Sequence, residues 1–195
     1  MLDKQHLRAA MRAARRDFVA DLPQATRALI LRRLPAPVEA RLPDGCTIGL
    51  YYATPDEAPT LAMTQWLLEG GWRVALPYFA SRAAPMQFCI WDSLHGENDL
   101  VAGPYGPQPA NTNEGVAPDV LLMPLLGFTA EGARLGQGGG HYDKWLAEHP
   151  RTLAIGLGWD MQCLDSLPQE PHDRQMDAVI TPTRFYTTRL FDCRP

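Results

Sequence analysis

Residues 120–159, VLLMPLLGFTAEGARLGQGGGHYDKWLAEHPRTLAIGLGW, decide the reading of the fold. The stretch opens on one apolar run, VLLMPLLGF, and closes on another, TLAIGLGW. Each reads as a strand, and a strand apolar on both faces belongs between two covering layers. Between them lie a glycine-dense loop and a helical segment at residues 142–148.

The same alternation extends outward in both directions. Asp3 stands at a helix N-cap position, and helical spacing runs from there to about residue 20. Prolines 23, 35, 37 and 43 bound a second short helix near residues 24–33. Residues 47–53 (TIGLYYA) read as a strand, and residues 60–69 as a helix stopped by Gly70 and Gly71. Residues 72–79 (WRVALPYF) and 86–91 (MQFCIW) read as strands. Residues 104–109 (PYGPQP) and 111–115 read as a long polar loop, and residues 178–181 (AVIT) as a last strand. Strands alternating with helices in this way indicate an α/β fold with a mostly parallel central sheet. Ligands of such folds sit at the carboxyl ends of the strands.

The 195 residues suit one domain, 1–195, which buries roughly 70% of its unfolded surface without a metal or disulfide staple. A net charge of −4 argues against a general nucleic-acid binder. Cys46, Cys89, Cys163 and Cys193 form no CxxC pair, which argues against a zinc ribbon and fits a reducing compartment. The N-terminal segment MLDKQHLRAAMRAARR is charged throughout, unlike a signal peptide. The longest nearly uncharged stretch, around residues 120–129, is too short to cross a bilayer. A cytoplasmic protein with no membrane or nucleic-acid partner is expected.

Two rows mark the first helix. Leu7, Met11, Ala14 and Phe18 recur at helical spacing and are expected to face the core. Lys4, Arg8, Arg12 and Arg15 form a basic row roughly a quarter-turn away, at about 100° per residue. That row is either a solvated face or a cleft edge that meets an anion.

Gly136, Gly138, Gly139 and Gly140 lie within five residues, with Arg134 before them and Lys144 after. Dense glycine lets backbone N–H groups approach an anion, and the following helix N-terminus favours negative charge. The loop is neither a Walker A nor a dinucleotide fingerprint. On its chemistry alone it is either a phosphate loop or a tight structural turn. Asp143 is either a metal ligand or a first-turn carboxylate complementing the helix dipole. Tyr52, Phe128 and Trp159 are either core residues or ring-stacking groups. No GxSxG or HExxH pattern is present.

RLGQGGGHYDKWL, preceded by PLLGF and followed by LPQEPHDRQMDAVIT, resembles the 5-formyltetrahydrofolate cyclo-ligase family (5,10-methenyltetrahydrofolate synthetase). The resemblance runs nearly end to end. Lys4, Arg8 and Arg12, then Glu57 and Thr60, RVALP at 73–77, Met86 and Phe88, and the segment 103–106 follow in the family's order. The resemblance implies a three-layer α/β/α sandwich. It implies ATP-dependent closure of 5-formyltetrahydrofolate to 5,10-methenyltetrahydrofolate, with ADP and phosphate released and Mg2+ as cofactor. Its partners would be ATP and a reduced folate, with the chain a monomer. By resemblance, ATP would meet Lys4, Arg8, Arg134, Leu135, Gly136, Gln137, Gly138, Gly139, Gly140, His141 and Tyr142. Lys4, Arg134 and Tyr142 would serve catalysis. Tyr52, Glu57 and the loop from Gln137 through Gly138, Gly139 and Gly140 to His141 would face the folate, and Asp143 and Asp173 the magnesium. The chain departs from the family pattern at Gln137, His141, Lys144 and Gln175. The alternatives are a relative acting on another formylated or amide substrate, or a non-catalytic nucleotide-binding module.

Overall fold

The computed structural model describes residues 3–92, 99–110, 115–170, 173–188 and 191. In chain order the elements are α1 (Lys4–Asp21), α2 (Gln24–Leu29), α3 (Ala36–Glu39), β1 (Thr47–Gly49), α4 (Leu61–Glu69), β2 (Arg73–Tyr78) and β3 (Gln87–Ile90). There follow β4 (Leu100–Gly103), β5 (Gly106–Pro109), β6 (Gly115–Val116), β7 (Val120–Pro124), β8 (Gly127–Phe128) and β9 (Arg134–Leu135). The chain ends with α5 (His141–Glu148), β10 (Leu153–Leu157), β11 (Ala178–Ile180) and β12 (Phe185–Thr187).

Eight strands form one sheet in the order β12-β11-β10-β7-β1-β2-β3-β6. The middle run β11-β10-β7-β1-β2 is parallel, and β12, β3 and β6 add antiparallel edges. Side chains alternate between the two faces with period two. One face presents Ile48, Val74, Leu76, Leu122 and Ile155 to Val19 of α1, Val38 of α3 and Met63 and Leu67 of α4. The other presents Ala75, Leu121, Met123, Ala154 and Val179 to Trp145 and Leu146 of α5. Helices therefore cover both faces, and the fold is the three-layer α/β/α sandwich that the family resemblance implies.

The first helix corrects the sequence reading. Ala14 is exposed and Phe18 is 36% exposed, whereas Met11, Arg15 and Val19 are buried. Leu7 and Met11 of the expected apolar row do pack inward, and Arg15 of the basic row joins Met11 and Val19 there in place of Ala14 and Phe18. A cation tolerates this position when acceptors surround it, and Arg15 has them: Nε donates to Asp56 Oδ2 at 3.0 Å and Nη1 to Leu125 O at 3.4 Å. Asp3 does occupy the N-cap position but makes no side-chain cap; its carboxylate lies 3.7 Å from His6 Nδ1.

Other boundaries also move. The second helix stops at Leu29, because Leu31 takes a left-handed φ of 51°. The strand expected over 47–53 pairs only through Gly49, and the chain then turns as Thr60 Oγ1 donates to Tyr51 O at 2.8 Å. Residues 104–109 are not a loop: β4 and β5 form a hairpin that turns at Pro104 and Tyr105. Its anchor is Gln108, whose Oε1 accepts from Phe79 N at 3.1 Å and whose Nε2 donates to Phe79 O at 3.3 Å. Residues 111–114, the rest of that expected loop, lie outside the described residues, as does Cys193. Cys46, Cys89 and Cys163 are free thiols. Burial, with Asp119 adding to it, pushes the Cys46 thiol up to about 11, an unreactive state at neutral pH. Among the described residues no helix is long and apolar enough to cross a membrane.

Central strands leave no room for added atoms. A Cβ on Gly156 would lie 2.6 Å from Met176 Sδ and 2.7 Å from Leu125 Cδ2. Overpacking of this kind costs about 1–3 kcal/mol. Gly156→Val is expected to lower Tm by roughly 2–12 °C, at about 2–4 °C per kcal/mol for a chain of this size. Thermal unfolding followed by circular dichroism checks this; an unchanged Tm would mean that the sheet face yields.

Candidate active site

The parallel strands all end at one edge of the sheet, and the segments leaving them wall a cleft of about 460 Å³. Tyr52, Thr54 and Glu57 follow β1, Phe79 and Met86 follow β2, and Tyr105 to Gln108 come from the hairpin. The glycine loop and the start of α5 supply Arg134 through Asp143. Lys4 and Arg8 reach in from α1, and Glu170 and Asp173 from the segment before β11. Residues from both ends of the sequence meet here because α1 lies across the carboxyl edge. Every site residue expected from the sequence lines this one cleft.

The cations of α1 each hold a different segment. Lys4 Nζ donates to Asp173 Oδ2 at 2.7 Å and lies 3.1 Å from Glu170 Oε2. Burial by itself lowers the Lys4 pKa, but the hydrogen bonds to Asp173 and Glu170 outweigh it and raise it. Arg8 Nε donates to Gly136 O at 3.0 Å. Arg12 forks onto Gln137, with Nε 2.9 Å from Oε1 and Nη2 3.0 Å from the carbonyl oxygen. The row reaches the cleft margin with its first two members and clips the glycine loop with Arg8 and Arg12.

Two glycines of the loop are required by backbone conformation. Gly138 has φ +107° and Gly140, immediately before α5, φ +64°. L side chains rarely adopt either. The other two are required by space: a Cβ on Gly136 would lie 2.9 Å from Arg134 Nη1, and one on Gly139 2.7 Å from the His141 ring. Arg134 Nη2 in turn donates to Asp143 Oδ2 at 2.8 Å, fastening the loop to the first turn of α5.

Aromatic rings close one side. Phe79, Tyr105 and His141 form a triangle with centroid separations of 4.6, 4.9 and 5.0 Å. Burial, then the charge of Lys144, lowers the His141 pKa, so the ring is neutral at neutral pH. Burial, then Glu57, pushes the Tyr142 phenol up against the opposing pull of Arg134, which leaves an O–H donor at neutral pH. Phe128 and Trp159 are fully buried core side chains outside the cleft lining. Trp159 Nε1 donates to Asp56 O at 3.0 Å.

Asp143 and Asp173 share the cleft, though each also faces a cation. Among the described residues no group of three His, Cys, Asp or Glu side chains comes together. Two carboxylates suit a hard cation that takes its remaining oxygens from phosphate and water. Sequence reasoning missed Phe79, Gln108 and Glu170 as lining residues, and Asp56 behind the wall. Gln108 in particular carried no local signal, because its partner Phe79 is 29 residues away.

Such an arrangement is that of an α/β protein with a cleft at its strand ends between a glycine loop and a row of cations. The profile of the 5-formyltetrahydrofolate cyclo-ligase family matches residues 1–182, and the chain belongs to that family. A 5-formyltetrahydrofolate cyclo-ligase of Mycolicibacterium smegmatis is 33% identical over 187 residues, which cover 93% of this chain and 94% of that one. The enzyme of the same name from Escherichia coli K12 is 31% identical over 147 residues, 72% of this chain and 80% of that one. The fold matches the solution structure of an Aquifex aeolicus 5,10-methenyltetrahydrofolate synthetase with a TM-score of 0.74, at 23% identity over 98% of this chain and 95% of that one.

One ion pair of the cleft wall titrates. Burial alone raises the Asp56 carboxyl, but the hydrogen bonds and charge of Arg15 outweigh it and hold it below the ordinary carboxylate range. A group depressed in the folded state stabilises above its unfolded value, and the stabilisation is lost as pH falls through the folded value. Asp56→Asn is therefore expected to be less stable than the parent at neutral pH, with the gap closing below about pH 4. Urea titrations across that range check it; a constant gap would mean that Arg15 does not shift the Asp56 carboxyl.

Proposed function

We propose that the cleft binds ATP and 5-formyltetrahydrofolate together and closes the folate ring to 5,10-methenyltetrahydrofolate, releasing ADP and phosphate. The observation that carries this reading is the convergence of Lys4, Arg8, the glycine loop and Glu57 on one cleft, in a chain of this family.

The chemistry explains why such a site suffices. A formamide carbon is a poor electrophile, because its nitrogen donates into the carbonyl. Transfer of the γ-phosphoryl group from ATP to the formyl oxygen breaks the bond to the bridging oxygen of ADP and turns the formyl oxygen into a leaving group. N10 of the folate then attacks the formyl carbon; phosphate departs with that oxygen, and N10 gives up its proton. Both nucleophiles belong to the substrate, so the protein's task is to position two ligands and balance phosphate charge. Lys4 and Arg8 are suited to phosphate oxygens, one as a point charge and one as a planar fork. Arg134 and the glycine loop line the same cleft. The Tyr142 hydroxyl can donate to an oxygen on which charge develops. Glu57 accepts N–H groups of the folate. Asp143 and Asp173 are the residues we assign to Mg2+, which supplies charge neutralisation on the phosphates.

Protein mixed with ATP, magnesium and 5-formyltetrahydrofolate is expected to form methenyltetrahydrofolate, read by its near-ultraviolet absorbance. ATP binding without product would instead favour another formylated or amide substrate. Arg8→Ala is expected to raise KM for ATP about ten- to a hundredfold, the worth of a charge-assisted contact. Arg16→Ala, exposed one turn beyond Arg12 and outside the cleft lining, should leave it unchanged. Equal small effects would make the α1 row a structural clip only. Asp143→Asn is expected to raise the magnesium concentration for half-maximal rate severalfold; an unmoved titration curve would return Asp143 to a partner of Arg134 alone.

A further inference from the structure

Arg15 lies behind the cleft wall, outside its lining, with its side chain 4% exposed. Its Nη2 is 2.8 Å and its Nε 3.0 Å from Asp56 Oδ2. Its Nη1 donates to Leu125 O at 3.4 Å and stands 3.8 Å from Glu57 Oε1. Glu57 does line the cleft, with its side chain 10% exposed, and its other oxygen, Oε2, accepts from Thr54 N at 2.9 Å. The carboxylate is thus held from two directions, by a peptide N–H on its own loop and by a guanidinium from α1. Leu125 O also accepts from Gln162 Nε2 at 2.8 Å. The same guanidinium therefore links α1, the segment after β1 and the turn after β7.

We infer that Arg15 is a positioning residue for substrate binding: it touches no ligand, and acts through Asp56 and Glu57 to fix a carboxylate acceptor in the cleft for a ligand edge that donates N–H groups. The inference rests on the functional reading above, in which that edge belongs to the reduced pterin ring. A carboxylate only accepts hydrogen bonds, so it selects donors. A carboxylate at this depth is costly without a paired cation, and Arg15 is that cation. Lysine is a poor substitute, because one ammonium cannot reproduce the planar fork that bridges Asp56 and Leu125 O. The inference separates two jobs within one helical row: Lys4 and Arg8 face the anion, and Arg15 serves the other substrate from behind.

The test is a double-mutant cycle on the full chain with Arg15→Met, Glu57→Gln and both together, with Arg16→Ala as a control. KM for 5-formyltetrahydrofolate, KM for ATP, kcat and Tm are measured for each. Each single change is expected to raise KM for the folate by about tenfold or more, and the double variant by no more than the larger single effect. KM for ATP should stay within about twofold of the parent in all of them. A purely structural Arg15 would lower Tm and leave KM for the folate unmoved, and that result overturns the proposal. So do additive effects in the double variant. Should Arg15→Met fail to fold, Arg15→Lys takes its place in the cycle; a raised folate KM supports the proposal and an unchanged one overturns it. Failure of the parent protein to form methenyltetrahydrofolate would overturn the functional reading, and this proposal with it. Normal turnover with additive effects overturns this proposal alone.

Discussion

The cations of α1 hold the cleft together. Lys4 bonds the segment before β11, Arg8 and Arg12 bond the glycine loop, and Arg15 bonds the segment after β1 and the turn after β7. These are the segments that leave the strand ends, and the parallel sheet alone gives them no reason to meet. Lys4 makes a part-buried ion pair, Arg8 bonds a part-buried carbonyl oxygen, and Arg12 bonds a neutral glutamine in an exposed position. Arg15 is different. It is buried beside Glu57 and pairs the partly exposed Asp56, and removing it strands a carboxylate with little water to compensate. The row therefore grades from a solvent-facing clip at Arg12 to an internal tie at Arg15.

The glycine loop answers to two demands at once. Gly138 and Gly140 adopt left-handed backbone, and Gly136 and Gly139 leave space for Arg134 and His141. Each of these has a cause within the chain itself. The same loop lines the cleft at the mouth of α5. A reaction whose nucleophiles are supplied by the substrates needs such a cradle more than it needs a catalytic dyad.

The hairpin β4–β5 adds the third wall. Its register is held by the side-chain amide of Gln108 bonded to both main-chain groups of Phe79, and Tyr105 at its turn packs on Phe79 and His141. His141, a departure from the family's usual aromatic, keeps an aromatic ring in that triangle. Burial and Lys144 keep it neutral, so it substitutes a polar edge without adding a charge. Gln137, the other departure in the loop, is held through both its side chain and its carbonyl by Arg12.

Much of this was legible in the chain itself. The doubly apolar runs at β7 and β10 announced strands buried between layers, because a strand covered on both faces needs no polar alternation. The glycine density at 136–140 announced a loop with unusual backbone, and the order of its flanking motifs announced the family. What the sequence left undecided was which face of α1 turns inward. Hydrophobic periodicity pointed to Leu7, Met11, Ala14 and Phe18; the first two do face inward, but over the second half of the helix the folded chain buries Arg15 and Val19 in place of Ala14 and Phe18. The reason lies in distance along the chain. Arg15 is stabilised by Asp56, 41 residues away, and by Leu125, 110 residues away, and no local pattern records that those acceptors will be waiting. The hairpin was hidden in the same way, since Gln108 reads as a loop residue until Phe79 is brought beside it. Apolar burial is a property a residue carries wherever it goes, whereas a buried charge or amide depends on partners that only the tertiary fold delivers.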